Sequence, residues 1–216
     1  MKNLLYKELR LALHPTVPLF LCLSAMLMIP NYPYYVLFFY TCLGLFFLFL
    51  NGRETQDLYY SMLLPIRTRQ IVQARVLLVV LIELAQVLLA VPFAVLRNAL
   101  IPMRNEVGIE ANAAFFGLGL VMLGLFNFFF FTTFYRHTDR VGGSFCAGCI
   151  AFGVFMLLAE TAVHALPFAR ERLDTVDPAF LPERLSVLAI GLLLYALLTW
   201  AAYRSSARSF EQLDLS

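Results

Sequence analysis

Charged side chains are what this chain has least of. Asp, Glu, Lys and Arg make up 14% of its 216 residues, where an ordinary soluble domain carries roughly 25%. Apolar types reach 61%, and the mean hydropathy is +0.78. That deficit excludes an ordinary soluble domain and leaves no room for one between the apolar runs, so the chain reads as one integral membrane domain. A net charge of +2 supplies no cationic soluble face for nucleic acid, because the basic residues sit beside apolar runs. Nucleotide signatures are also missing. There is no Gly-rich loop followed by Lys-Ser/Thr, no dinucleotide fingerprint, no GxSxG elbow and no HExxH pair. ATP, if it is used, must be bound by another chain. The amino-terminal stretch lacks a continuous apolar core, since Lys2, Lys7, Glu8 and Arg10 interrupt its leucines, and it does not read as a cleavable signal peptide.

Cysteine is sparse as well, with four residues, all inside apolar runs. Cys146 and Cys149 have CxxC spacing, but thiol exchange and zinc binding both need an accessible polar setting. The surrounding Gly142, Gly143, Ser144, Ala147 and Gly148 favour close helix packing instead.

What the chain has in abundance is spanning-length hydrocarbon. A membrane helix needs about 20 apolar residues. The expected fold class is an all-α integral membrane protein of six transmembrane helices, with an interfacial helix before them and a short cytoplasmic helix between spans two and three. Leu4 to Leu13, with Lys and Arg interspersed, reads as the helix lying in the interface, within residues 1–14. Spans one and two occupy 16–50, the first running from Thr16 towards Pro33 with Pro30 and Pro33 interrupting it, the second covering Tyr34 to Leu50. A polar segment fills 51–70. Spans three to six occupy 71–203: Ile71 to Leu96, Ala113 to Tyr135, Gly142 to Leu166 and Leu185 to Tyr203. Residues 204–216 form a tail. Tyr32, Tyr34, Tyr35, Tyr135 and Tyr203 fall at run ends, where aromatic residues anchor at the lipid interface. The Phe-rich Phe126 to Phe131 reads as lipid-facing and packing bulk.

With an even number of spans and the amino terminus inside, eleven of the sixteen Lys and Arg residues fall on the cytoplasmic side. That bias predicts both termini inside.

The stretch from Asn51 to Arg75 organises the chain. Gly52 can end one helix, Glu54 to Leu63 can form a short amphipathic helix, and Pro65 stops it. Arg67, Arg69 and Arg75 follow where the next apolar run begins. On residue types alone the stretch is either a helix along a membrane face or in a protein groove, or a loop that satisfies charge topology. Within the spans, Glu83 and Gln86 share a face of span three, Asn127 lies in the second half of span four, and Glu160 and His164 are four apart near the outer end of span five. Ionisable groups in lipid are costly and mark function by default. Glu83, Gln86 and Asn127 suit a wet path or a polar substrate group, and Glu160 with His164 an outer gate. The alternative for all of them is hydrogen bonding between helices. Two other functions stay open on these residues: an ion- or proton-coupled carrier working through Glu83, and an intramembrane enzyme using Glu160 and His164 as acid and base. No metal-ligand set accompanies the pair.

Asn51, Arg53, Glu54, Asp57, Tyr60, Leu63, Leu64, Pro65, Ile66, Arg67, Gln70, Ile71, Val72, Ala74 and Arg75, set after an interfacial helix and two spans, resemble the small permease subunits of type-2 ATP-binding-cassette exporters. The resemblance in topology covers essentially the whole chain, and the motif about twenty-five residues. It implies a non-catalytic subunit that pairs with a second permease copy or paralogue and docks two cytosolic ATPase subunits. These partners would bind ATP and Mg; no cofactor or metal is implied on this chain. It implies a multi-pass protein of the bacterial cytoplasmic membrane, in contact with lipid and not with nucleic acid, exporting an amphipathic peptide, a drug or a lipid. It also makes Arg53, Glu54, Asp57, Leu58, Tyr60, Met62, Pro65 and Arg67 the residues that couple the permease to its ATPase.

Overall fold

The computed structural model describes residues 2–9, 15–101 and 105–213. Expectations resting on Arg10 to His14, on Arg104 and on residues 214–216 lie outside these. The described residues are helical with turns and no strand. The helices are α1 (Lys2–Lys7), α2 (Thr16–Cys22, continued by a 3-10 segment Leu23–Met28), α3 (Val36–Glu54), α4 (Asp57–Met62), α5 (Thr68–Leu100), α6 (Ala113–Phe134), α7 (Val141–Ala165), α8 (Pro167–Arg172) and α9 (Leu181–Leu213). Among the described residues, five helices are long and apolar enough to cross a membrane: α3, α5, α6, α7 and α9.

The first span departs from expectation. Its helical part, Thr16–Met28, is short, and seven α residues plus six 3-10 residues rise only about 22 Å, against a hydrocarbon thickness of about 30 Å. The chain nonetheless passes from one end of the bundle to the other here. Glu8 pairs with Arg75 in the early turns of α5, whereas Tyr34 lies under the guanidinium of Arg97 near the opposite end of that helix. The remaining distance is bridged by residues 29–33, where Pro30 and Pro33 forbid continued helix and Asn31 takes a left-handed backbone with φ of 52°.

Helix α6 is the centre of the bundle. Phe115, Leu123, Phe126 and Phe131 on it are fully buried. Its packing against α9 is backbone to backbone: a Cβ on Gly117 would stand 2.6 Å from the Val187 carbonyl oxygen, and one on Gly191 would overlap the Gly117 carbonyl. Lipid offers apolar side chains no gain from merely meeting each other, so small residues that let backbones approach carry such interfaces. The glycines flagged in the sequence behave differently. Gly148 does meet the Phe126 ring, but Gly142 and Gly143 have nothing within 4 Å.

Two further expectations are corrected. Tyr34, Tyr35 and Tyr135 are about 1% exposed or less and so are not lipid anchors. They pack inward, Tyr34 and Tyr35 on Phe115 and Tyr135 on Phe131, Phe134 and Phe210. Residues 204–213 are not a separate tail but the last turns of α9. They stay helical because Ser206, Ala207 and Phe210 are buried against the bundle and Glu211 is held by Arg69 through two hydrogen bonds of 2.5 and 2.9 Å.

The close approach of α6 to α9 generates a test. Gly191→Leu is expected to destabilise the solubilised chain by about 3 kcal/mol, the upper range for overpacking, whereas Gly153→Ala, with open space around it, is expected to be neutral. Thermal unfolding followed by size-exclusion of the surviving monodisperse fraction measures both.

Candidate functional site

The amino-terminal end of the bundle is built around one buried arginine. Arg75 leaves α5 among Ile71, Val72, Ala74 and Val76, all buried, and is itself 3% exposed. Its Nε lies 2.8 Å from Glu8 Oε2, its Nη2 donates to Asp57, and its guanidinium faces the Phe49 ring at 5.5 Å. Lys7 completes the set. Its Nζ is 2.6 Å from Asp57 Oδ1 and donates to Ser61 Oγ at 2.5 Å. Two cations and two carboxylates thus join α1, α4 and α5 in one neutral cluster. A charge this buried is tolerated only when it is paired and hydrogen-bonded. Tyr135 lies beside it, fully buried, and desolvation pushes its hydroxyl well above the usual tyrosine range.

This cluster shapes α4. Helix α3 does not end at Gly52 but runs on to Glu54, and Thr55 closes it by donating both its amide and its hydroxyl to the Asn51 carbonyl at 2.9 Å. The reversal falls on Gln56, with φ of 51°. The short helix is therefore Asp57–Met62, starting three residues later and ending one residue earlier than expected. Six residues do not hold a helix alone. Here Asp57 stands at its start, where a carboxylate is favoured, and Lys7 and Arg75 fasten it down. Asp57 and Ser61, one turn apart, face inward, and Ser61 is fully buried. Tyr59, Tyr60, Met62 and Leu63 face out, the tyrosines more than half exposed.

The residues marked for coupling thus separate into two groups. Asp57 is an internal contact. Leu58 packs against the core and, with Arg53 and Met62, lines a cavity of about 760 Å³ that opens at this end between α4 and the α6–α7 turn. Arg53 also donates to the Asp139 carbonyl across that cavity at 3.2 Å. Glu54, Tyr60, Pro65 and Arg67 are exposed, and the Arg67 amide, at the start of α5, donates to Gln70 Oε1 at 3.2 Å.

The residues marked for a translocation path fall in three places. Glu83 is completely buried between α5, α6 and α9. Its Oε2 accepts from Asn127 Nδ2 at 2.8 Å and from the Tyr195 hydroxyl at 2.6 Å, while Asn127 also reaches Thr199 at 3.3 Å. Gln86 points elsewhere on α5 and donates to Ser24 Oγ at 2.8 Å, holding the 3-10 segment of the first span to α5. So Glu83 and Asn127 meet, and Gln86 belongs to a different contact. Glu83 Oε1, Gln86 Oε1 and Asn127 Oδ1 are buried without a hydrogen-bond donor. Glu83 lines neither the cavity beside α4 nor the one at the opposite end of the bundle.

Glu160 and His164 stand at the opposite end, with His164 Nδ1 3.7 Å from Glu160 Oε2. The same ring nitrogen lies 2.9 Å from the Glu160 backbone carbonyl oxygen one turn back, so the two residues stay in contact. Glu160 is covered by the loop at Gly108, where a Cβ would lie 2.9 Å from Oε1, while His164 turns to a cavity of about 850 Å³ lined also by Arg97, Glu110, Arg170 and Asp174. That end is knitted by side chains. Arg97 pairs with Glu110, the Glu110 amide donates to Asp174 Oδ1 at 2.9 Å, and Asn112 caps α6 while donating to the Leu173 and Thr175 carbonyls. Among the described residues no three His, Cys, Asp or Glu side chains gather as a metal site would require.

Sequence reasoning did not identify the partners: Lys7 and Glu8 for Asp57 and Arg75, Tyr195 and Thr199 for Glu83 and Asn127. Arg75 did carry a signal, a lone cation set into an apolar run, which in membrane helices marks a buried pair. The hydroxyls carried none.

A bundle of apolar helices with a short helix fastened across one end defines a polytopic helical membrane protein. The profile described as ABC-2 family transporter protein matches residues 3–211, and the chain belongs to this family, whose members are the membrane permease components of ABC transporters. Comparisons with curated proteins and with solved structures give no match.

The cluster and the polar core respond differently to substitution. Asp57→Asn leaves Arg75 and Lys7 short of one carboxylate and is expected to cost about 3 kcal/mol. Glu83→Gln keeps an oxygen for Tyr195 and is expected to be mild, whereas Glu83→Leu strands two buried donors at a cost of about 1–3 kcal/mol. Thermal unfolding of the three variants in one detergent checks the order.

Proposed function

We propose that this chain is the transmembrane subunit of an ATP-driven exporter in a bacterial cytoplasmic membrane. It pairs with a second permease, a copy or a paralogue, and with two cytosolic ATPase subunits that hold ATP and Mg. Its cargo is an amphipathic peptide, a drug or a lipid. Both termini face the cytosol, in keeping with the excess of Lys and Arg at that end.

One observation carries the reading: a short helix fastened by its inner face to two other elements while its outer face presents apolar and aromatic side chains beyond the end of the bundle. Tyr59, Tyr60 and Leu63 are 60%, 56% and 68% exposed, on a helix whose Asp57 is bonded to α1 and α5. Such a face suits a groove on a soluble partner, and the fastening makes it a lever. When the ATPase subunits close on ATP, a push on α4 passes through Asp57 to Lys7 and Arg75, and so to α1 and the whole of α5. Helix α5 has 33 residues, about 50 Å at 1.5 Å per residue. A displacement at its early turns therefore reaches Glu83, two turns further along and before Pro92, by rigid-body motion rather than by local rearrangement. Arg53, Leu58 and Met62 around the 760 Å³ cavity complete the receiving surface. The chain itself contributes no chemistry to hydrolysis.

Replacing Tyr60 and Leu63 together by Ala is expected to abolish co-purification of the ATPase, or its stimulation, with the unfolding temperature of the permease unchanged. A pull-down from native membranes followed by an ATPase assay reads both. Retention of a fully stimulated ATPase by the folded double variant excludes α4 as the docking helix.

A further inference from the structure

At the amino-terminal end, on the side away from α4, α9 and the first turn of α5 enclose a small pocket of about 310 Å³. Its polar lining is Arg69, Arg204 and Arg208, with Trp200, Tyr203 and Ala207 between them. Arg69 is neutralised by Glu211. Arg204 and Arg208 have no carboxylate partner among the described residues, and Arg204 is stacked over the Trp200 ring at 5.2 Å. The pocket thus keeps two cationic charges.

Its position on the helices is as telling as its charge. Arg208, Arg204, Trp200, Leu197 and Leu193 follow one another at three- and four-residue spacing along one face of α9, and the last three are each more than half exposed. On α5, Arg69 begins a row that continues through the exposed Gln73 to Leu77 and Leu81, the last two 38% and 42% exposed. Rows of exposed leucine that end in an indole and then in arginines trace the passage from hydrocarbon to headgroup. The phosphate of a lipid whose chains lie along these rows would arrive at the level of the arginines, and a guanidinium presents paired donors to phosphate oxygens.

From this arrangement we infer that the pocket is a binding site for the phosphate headgroup of an anionic phospholipid in the surrounding leaflet, with Arg204 and Arg208 as its ligands and Trp200 at the start of the acyl chains. The site requires only that the chain spans a membrane, and stands whether or not the exporter reading does. It gives α9 a preferred lipid neighbour at the point where Arg69 and Glu211 join α9 to α5, the helix that carries the charge cluster.

The chain has one tryptophan, so its fluorescence reports this pocket alone. The full chain in nanodiscs is titrated with phosphatidylglycerol or phosphatidylcholine, each brominated on its acyl chains. Half-maximal quenching of Trp200 is expected at a mole fraction on the order of tenfold lower for phosphatidylglycerol. Arg204→Gln with Arg208→Gln is expected to merge the two curves. Arg136→Gln with Arg140→Gln, equal in charge lost and at the same end, is expected to keep them apart. Raising the salt concentration on the unmutated chain is expected to shrink the preference, which tests the site even if the double variant does not fold. Equal curves for the two lipids, a preference that survives in the folded double variant, or one indifferent to salt overturns the proposal. So does a preference erased by inorganic phosphate where equal ionic strength of chloride leaves it, which identifies a site for a soluble anion instead.

Discussion

The pairing of Arg75 with Glu8 and Asp57 is the constraint on which the rest of this end depends. A guanidinium 3% exposed in the first turns of a membrane helix cannot be left without carboxylates. Satisfying it draws in two short segments. Glu8 brings α1, and Asp57 brings α4; neither is long enough to be stable by itself. Removing one member of such a set exposes the others to the full cost of an unpaired buried charge. The cluster thus converts an energetic liability into a fixed geometry.

The remaining polar residues of the interior follow the same rule with weaker groups. Glu83, Asn127, Tyr195 and Thr199 join α5, α6 and α9 at mid-depth, and Gln86 with Ser24 fastens the incomplete first span. At the far end Arg97, Glu110, Asp174 and Asn112 close the loops over the helices. Long helices are held at three levels by hydrogen bonds, and along α6 and α9 by the direct contact of Gly117 with Gly191. This division suits a machine in which whole helices move.

The first span is the weak member of the assembly. Its helix is too short to cross, it tightens into 3-10 geometry after Cys22, and it finishes in a turn between prolines, with Asn31 in the left-handed region. Its hold on the bundle is local: Gln86 on Ser24, and the Phe20 ring 3.2 Å from where a Gly44 Cβ would stand. A segment with fewer internal hydrogen bonds opens more readily than its neighbours. It borders α3 and α5, the two helices that α4 connects.

Sequence by itself determined the class, the five helices of membrane-crossing length, the ends of most helices within a few residues and the presence of a short helix before Pro65. It could do so because each of those is a property of consecutive residues: hydrocarbon length, a proline, a change from apolar to basic. The same local signals misled where a neighbour overrides them. Gly52 had the chemistry of a helix end, yet α3 runs through it because Thr55 supplies the closing bonds. Tyr34, Tyr35 and Tyr135 had the chemistry of lipid anchors, yet aromatic partners on α6 and α9 draw them inside. Which face of α4 turns inward, and that Glu83 meets Asn127 but Gln86 does not, were decided only by tertiary structure. Each is a pairing across tens of residues, and a side chain's partner in the folded chain is written nowhere in its own neighbourhood.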